Sequence, residues 1–550
     1  MHFSDGGLPT AIESRGAAQG RLDLSYDTLM LPSAMDLTSG SDSAHWGLAY
    51  DAALHVVGYG DWTIARDGPL GSASAMHDAA AELVLGRDEY GRLVHKSLSV
   101  GSVVRYQLDL TLDLLDRVVE RIELLDGVTT TWSYAYDEFD HLVQVTRDSV
   151  VVETYTYDAR GNRTSRAYDG ASAETSSYDL RDRIAMVGGA DYTLDDDGQL
   201  ALRGSDSFVY GVRGELLEAT VGSDSVDYGY DGAGRRVSRH DAAGDVQVLY
   251  GTPGAWWRPL AVRLADDTLQ IYTYDDMSAA LAMDRGATRY YLATDQVGTV
   301  RAVFDASGAL VKRVDRDSFG RLLADSAPAL DVVLGFGGGL EDTLTGLTRL
   351  GLRDYDPEAG RFTSTDLKLF NGGQYHLYAY AGSDPVGHAD PTGLFCVGGS
   401  FFAVVGGGGE LCVDEDGLSA CAELGVGVGN GFDFDPFGDI RESNDFSVKA
   451  EGGLEIMGYG VDGEFRVSRC TGISSSGGID VPGGIGYDIE NRYNPNTGRW
   501  EGGEFETDSP MDAYQAGMDV VDMVKGALSG KGDLGYGASA SATMEGCVRF

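Results

Sequence analysis

Thr154-Tyr155-Thr156-Tyr157-Asp158-Ala159-Arg160-Gly161-Asn162-Arg163 reads as an incoming strand, a tight turn and the start of a returning strand. The run up to Tyr157 alternates as a half-buried strand does. Asp158 can accept a bond from the backbone two residues on, and Gly161 supplies the positive φ a tight turn needs. A tyrosine at the strand end has a ring to bury and a hydroxyl to place at the rim.

The pattern recurs along the chain. Tyr136-Asp137, Tyr178-Asp179 and Tyr230-Asp231-Gly232-Ala233-Gly234-Arg235 repeat it. Weaker copies begin at Arg87, Leu112, Leu194 and Tyr210, so starts fall at 87, 112, 136, 157, 178, 194, 210 and 230. Spacings between 16 and 25 residues suit one β-hairpin per unit, with returning strands such as Leu142-Val143-Gln144-Val145. A lone hairpin is marginal in water, so the units are expected to pair edge to edge into one long sheet. Residues 1–84 hold short alternating runs, such as Leu22-Asp23-Leu24-Ser25-Tyr26, read as further strands of that sheet or a lid.

The 550 residues exceed one ordinary core. The formal charge of −44 repels phosphate backbones and argues against nucleic acid as a partner of the repeats. Only six of the 42 basic residues are lysine, and high Asp with low Lys reports habitat and solubility rather than function. No apolar run reaches the ~18 residues of a membrane-spanning helix. The first twenty residues lack a basic start and an apolar stretch, so no Sec-type leader is read there. The five cysteines, Cys396, Cys412, Cys421, Cys470 and Cys547, all follow residue 395. Two disulfides with one free thiol, or five buried thiols, both fit, and the compartment decides between them.

Composition shifts at 395. Residues 395–550 hold 33 of the 78 glycines, with 26 acidic against 9 basic residues. Alternating pairs such as Leu454 with Ile456 and Phe465 with Val467 predict short strands joined by glycine turns. One helix is expected near 510–528, with Ser509 as its N-cap and Pro510 at its first position. No histidine follows His388, which excludes histidine-based nucleases, HExxH metal hydrolases and zinc deaminases from this stretch. Asp433 and Asp435 read as a loop acidic pair, and the Gly406–Gly409 run lacks the lysine of a phosphate cradle. No cofactor or metal is expected.

A second block is more specific. It comprises Tyr290-Tyr291-Leu292-Ala293-Thr294-Asp295-Gln296-Val297-Gly298-Thr299-Val300-Arg301 and Gly351-Leu352-Arg353-Asp354-Tyr355-Asp356-Pro357-Glu358-Ala359-Gly360-Arg361-Phe362. It closes on Leu377-Tyr378-Ala379-Tyr380 and Asp390-Pro391-Thr392-Gly393-Leu394. With the repeats, it resembles the YD-repeat, or Rhs, family and its Rhs-associated core over residues 85–395. Gln296 stands where the family usually has His, and Thr299 where it has Ser.

The resemblance implies a mainly β fold: a spiral antiparallel sheet forming a hollow shell. The expected layout is an N-terminal β-rich segment (1–84), YD-repeat shell (85–330), core (331–394) and a variable Gly- and Cys-rich domain (395–550) with one helix. It also implies an aspartic self-cleavage of the Leu394–Phe395 bond by Asp366 and Asp390. Two carboxylates forced together do not both ionise, so one activates water while the other polarises the carbonyl. Arg353 occupies the position of a supporting arginine, and Arg361 is a second candidate. The sequence departs from the family at Leu367, where Pro is usual, and at His388-Ala389, where an aromatic is usual.

A plainer reading also stands: Asp366, Asp384 and Asp390 open turns, as Asp often does. His376 and His388 lie shortly before Asp390, and His388 is read as a surface turn residue rather than a partner of the pair. The expected function is a secreted bacterial shell that encloses and frees its own tail, as polymorphic toxins do. Its expected partners are that tail and an immunity protein or secretion component. The alternative is a surface or extracellular structural, adhesive YD-repeat protein.

Overall fold

The computed structural model describes residues 2–4, 8–251, 255–366 and 376–394. Beyond these it describes the backbone of strands at 397–398, 409–414, 417–427, 447–456, 459–468, 472–481, 485–494, 499–501 and 540–548. The chain divides into two compact units, Met1–Val404 and Val405–Phe550.

The first unit is one long antiparallel sheet in which each strand pairs with the next in sequence, from His2–Phe3 to Leu322–Asp325. Each YD turn follows one scheme. Oδ1 of Asp158 accepts from the N–H groups of Arg160 (2.9 Å) and Asn162 (3.0 Å). The Asp158 N–H donates to the Asn162 carbonyl, and Gly161 returns a bond to the Asp158 carbonyl. Gly161 sits at φ +84, a conformation costly for L-residues other than Asn and Asp. Asp116, Asp140 and Asp182 take that position in their own turns.

The tyrosine before the aspartate does two jobs. Pairing slips by one residue at Tyr136, Tyr157, Tyr178 and Tyr230, so each marks a β-bulge. A bulge bends the strand and raises its twist, which curls the sheet. The hydroxyl then reaches back one hairpin: Tyr157 donates to the Leu142 carbonyl and Tyr178 to that of Arg163, both at 2.8 Å. The leucine five residues after the turn aspartate, or after Gly211 in its place, fills the interior, and Leu93, Leu142 and Leu216 have no exposed surface. A Leu→Ala change at such a site costs about 2–5 kcal/mol.

Residues before 85 belong to the same sheet. Tyr26-Asp27 and Tyr50-Asp51 build the same turn, with Tyr26 donating to the Pro9 carbonyl and Tyr50 to that of Pro32. Curling brings distant strands face to face. Leu22, Met35, Leu37 and Trp46 pack on Leu249, Leu260, Ala261 and Leu269. Leu98, Leu108 and Leu142 share a core with Ala302, Phe304 and Phe319. Buried ion pairs cross the same seams, including Arg301 with Glu123 (3.2 Å) and Lys96 with Asp275 (3.1 Å). Within the sheet's curl, residues 340–362 form a small four-stranded sheet beside the aromatic cluster Phe336, Tyr355, Phe362 and Tyr380.

In the second unit eight strands pair antiparallel, and Cys421 and Cys547 are Cα partners in register. The helix expected near 510–528, Cys396, Cys470, Asp433 and Asp435 lie outside the described residues.

Candidate active site

Arg353 opens the strand Arg353–Asp356, which is joined to Thr348–Leu350 by the two-residue turn Gly351-Leu352. The neighbouring Asp354 fixes that strand, with Arg349 on one carboxylate oxygen at 2.8 Å and Arg236 on the other at 2.7 Å. Tyr355 donates to the Phe319 carbonyl at 2.7 Å. With both flanks tied to the shell, the Arg353 side chain has one place to go. Only 4% of it is exposed, and its guanidinium carbon lies 3.7 Å from the centre of the Phe362 ring.

The guanidinium gathers four groups. Its Nη2 lies 2.8 Å from Oδ2 of Asp366 and 3.2 Å from Oδ2 of Asp390. Nη1 donates to the Leu377 carbonyl at 3.2 Å, and Nε donates to the Gly393 carbonyl. One nitrogen therefore holds both aspartates beside the loop that ends in Leu394. All are buried: Asp366 is 7% exposed, Asp390 1% and Leu394 2%. A planar fork suits this convergence better than a point charge would.

The segments carrying these groups rest on YD turns. Leu200 N–H donates to the Thr363 carbonyl (2.9 Å), and the Tyr378 hydroxyl donates to the Gly198 carbonyl (2.8 Å). His376 Nε2 bonds Asn162 Oδ1 at 2.7 Å, while its Nδ1 receives the Tyr378 N–H, which makes Nε2 the donor. Burial, then the nearby Arg361 charge, lowers the His376 pKa to about 4.

Asp390 combines two roles. Its Oδ1 accepts from the Leu394 N–H at 3.0 Å, the same four-residue reach as Asp158 to Asn162. The turn that defines the repeats therefore also shapes the 390–394 loop, while the other oxygen faces Arg353. The chain then returns at Val397–Gly398 to pair with His388–Ala389.

Other residues selected from sequence go elsewhere. Arg361 donates to the Asp182 carbonyl at 2.7 Å and stacks on Tyr178 and Tyr378. His388 lies 3.1 Å from Asp384, whose carboxylate also caps the N–H groups of Val386 and Gly387. Burial opposes a charge on His388, but the Asp384 hydrogen bond and charge outweigh it and raise its pKa. Leu367 and Phe395 lie outside the described residues. Sequence reasoning did not single out Phe362, the Leu377 carbonyl, Gly351 or Gly393. Nor did it find the link from Gln296, whose amide donates to the Val386 carbonyl at 2.9 Å. Gly351 and Gly393 stood inside quoted motifs, where glycine flanking a site residue was the available signal.

A curled sheet of tyrosine–aspartate hairpins, closed by a core segment packed on its own turns, defines a YD-shell repeat protein. The chain belongs to the Teneurin YD-shell family, whose model matches residues 10–386. Human teneurin-4 is 33% identical over 325 residues, covering 56% of this chain and 12% of teneurin-4. Drosophila melanogaster teneurin-m is 28% identical over 330 residues, again 12% of its length. The chain thus spans a small part of the curated relatives it matches. Among solved structures, the Photorhabdus luminescens Tc holotoxin pore superposes with a TM-score of 0.51 at 16% identity, covering 69% of this chain and 20% of that one. A TcdB2–TccC3 crystal structure gives 0.52 at 16% identity, covering 71% and 24%. At that identity the likeness is one of fold.

Proposed function

We propose that this chain is a YD-shell that cuts its own backbone between Leu394 and Phe395 and so frees residues 395–550. The observation that carries the reading is Arg353, with one nitrogen on both Asp366 and Asp390 and another on the carbonyl one residue before the bond. Water adds to the Leu394 carbonyl carbon and gives its proton to the ionised carboxylate. The protonated carboxyl stabilises the oxygen that gains charge. The C–N bond then breaks, the Phe395 nitrogen takes a proton, and Leu394 ends as a carboxylate. Arg353 offsets the negative charge and keeps the pair in place. Attack within one chain on a fixed loop has a high effective concentration.

The shell is proposed to enclose the 395–550 segment, with the domain layout expected from sequence. An inhibitor protein or secretion component is a proposed partner, and the proposed location is outside the cell. The fold shared with a Tc holotoxin supports this toxin-like reading. The test is a denaturing gel of purified protein: fragments of 394 and 156 residues are expected, the latter being 395–550. Asp390→Asn should leave one full-length band. An intact wild-type chain across varied pH and salt would sink the proposal.

A second reading has its own support. Oδ1 of Asp390 caps its turn as the shell aspartates do, and the teneurins are more similar in sequence than the toxin structures reported above. In this reading the chain is a structural or adhesive shell and the 376–394 segment only seals it. The same gel separates the two.

A further inference from the structure

The turn Gly351-Leu352 presses against the peptide that precedes the proposed scissile bond. Leu352 N–H donates to the Thr392 carbonyl at 2.8 Å, and Arg353 Nε donates to the Gly393 carbonyl. The two backbones come so close that neither leaves room for a side chain on the other. A Cβ on Gly351 would stand 2.2 Å from the Thr392 oxygen and 2.4 Å from its carbonyl carbon. A Cβ on Gly393 would stand 2.5 Å from the Leu350 oxygen and 2.9 Å from the Arg353 nitrogen. These are backbone atoms and cannot swing aside. Both glycines also hold positive φ, +50 and +71.

We propose that Gly351 and Gly393 form an interlocked pair that sets cleavage specificity: the centre takes only a segment with glycine one residue before the bond, docked by its backbone. This rests on the self-cleavage reading and adds a recognition rule to it. Specificity at 393 then comes from exclusion, because any Cβ lifts the loop from Leu352 and Arg353 and shifts the Leu394 carbonyl that follows. Gly351 is the matching element on the enzyme side, and it touches the substrate segment directly.

Positive φ alone offers a competing reason for both glycines, and Gly286 separates the two. It holds the same first position of a two-residue hairpin turn, between Arg285 and Thr288, at φ +59, and nothing lies within 4 Å of its added Cβ. The experiment compares Gly351→Ala, Gly393→Ala and Gly286→Ala in the full chain, with cleavage followed on gels and folding by circular dichroism. Gly286→Ala should cut at the wild-type rate. Gly351→Ala and Gly393→Ala should fall by at least ~100-fold with the sheet intact, the scale of loss that an ångström-sized misplacement produces. Cleavage of both within about threefold of wild type, well inside that scale, would overturn the proposal. If Gly351→Ala does not fold, Gly393→Ala, which leaves the hairpin unchanged, decides alone. If the wild type itself never cuts, the self-cleavage reading fails separately. The docking claim is then judged in Asp390→Asn protein by hydrogen exchange at the Leu352 and Leu394 amides. Protection should be lost with Gly351→Ala and kept with Gly286→Ala, and equal protection in both refutes the interlock.

Discussion

The hydroxyl of Tyr157 donates to the carbonyl of Leu142 at 2.8 Å, joining the end of one hairpin to the start of the previous return strand. The same bond recurs from Tyr136 to Val118, Tyr230 to Leu216 and Tyr274 to Pro259. It explains why tyrosine rather than phenylalanine precedes the aspartate: the hydroxyl ties each hairpin to a backbone carbonyl of the one before it. Tyr157→Phe should therefore destabilise the shell by about 1 kcal/mol, the net worth of one such bond. Leu142→Ala, which opens a fully buried site, should cost about 2–5 kcal/mol. Denaturant midpoints with an unchanged slope would check both values.

A buried acidic pair should give the shell a pH dependence. Glu153 accepts from the Tyr155 hydroxyl at 2.7 Å and the Ser318 N–H at 3.1 Å, bridging the strand Val150–Tyr157 to the 317–321 turn. Burial, with the nearby Asp317 charge, raises its pKa from 4.5 to about 7. Burial also raises Asp317, against the pull of Arg163 and Arg166. A raised carboxyl binds its proton more tightly in the folded state. Its contribution is therefore full below its unfolded pKa and is lost as pH rises through about 7. Thermal stability should decline across that interval, and Glu153→Gln should flatten the decline. A variant whose slope matches the wild type between those limits would show that the pair does not titrate there.

The turns that spell Tyr-Asp with a glycine or aspartate three residues after the Asp were legible because these residues report backbone geometry. Those at Tyr26-Asp27 and Tyr50-Asp51 escaped notice because Met30 and Leu54 hold the left-handed position, at φ +64 and +66, where glycine or aspartate would have signalled it. The strands before 85 are thus read as a vague β-rich segment in sequence, although their aspartates cap the same N–H groups. Asp366, Asp390 and Arg353 were recognisable as a motif. Their convergence depends on contacts such as Tyr378 with Gly198, 180 residues apart, which no local pattern encodes. Arg361 has the same residue type and a similar motif position, yet its environment is the 179–183 turn.

The two roles of Asp390 can be pulled apart. Asparagine keeps an oxygen for the Leu394 N–H but loses the charge and the proton exchange. Asp390→Asn should therefore end cleavage, at a stability cost limited to the lost charge beside Arg353. Alanine removes both, leaving the buried Leu394 donor unsatisfied, and should cost a further 1–3 kcal/mol or so. Arg353→Lys should also stop cleavage, since an ammonium cannot serve two aspartates and two carbonyls in one plane. Equal thermal stability of the Asn and Ala variants would mean that the turn bond contributes nothing.

After cleavage the new chain end should stay where it was made. Leu394 is 2% exposed, its N–H is held by Asp390, and the two preceding carbonyls are held by Leu352 and Arg353. None of these contacts involves residues beyond the cut. Breaking the bond adds a carboxylate beside Asp366 and Asp390, a repulsion that Arg353 partly offsets, while the buried leucine side chain still favours retention by about 1.5–3 kcal/mol. The centre should then be plugged by its own product and act once. Carboxypeptidase added to the native, self-cleaved shell should fail to remove Leu394, and should remove it once the shell is unfolded. Native shell should likewise leave an added peptide spanning the 390–396 sequence intact. Turnover of that peptide, or rapid trimming of Leu394 from folded protein, would show that the end leaves the site and that the centre is open to other substrates.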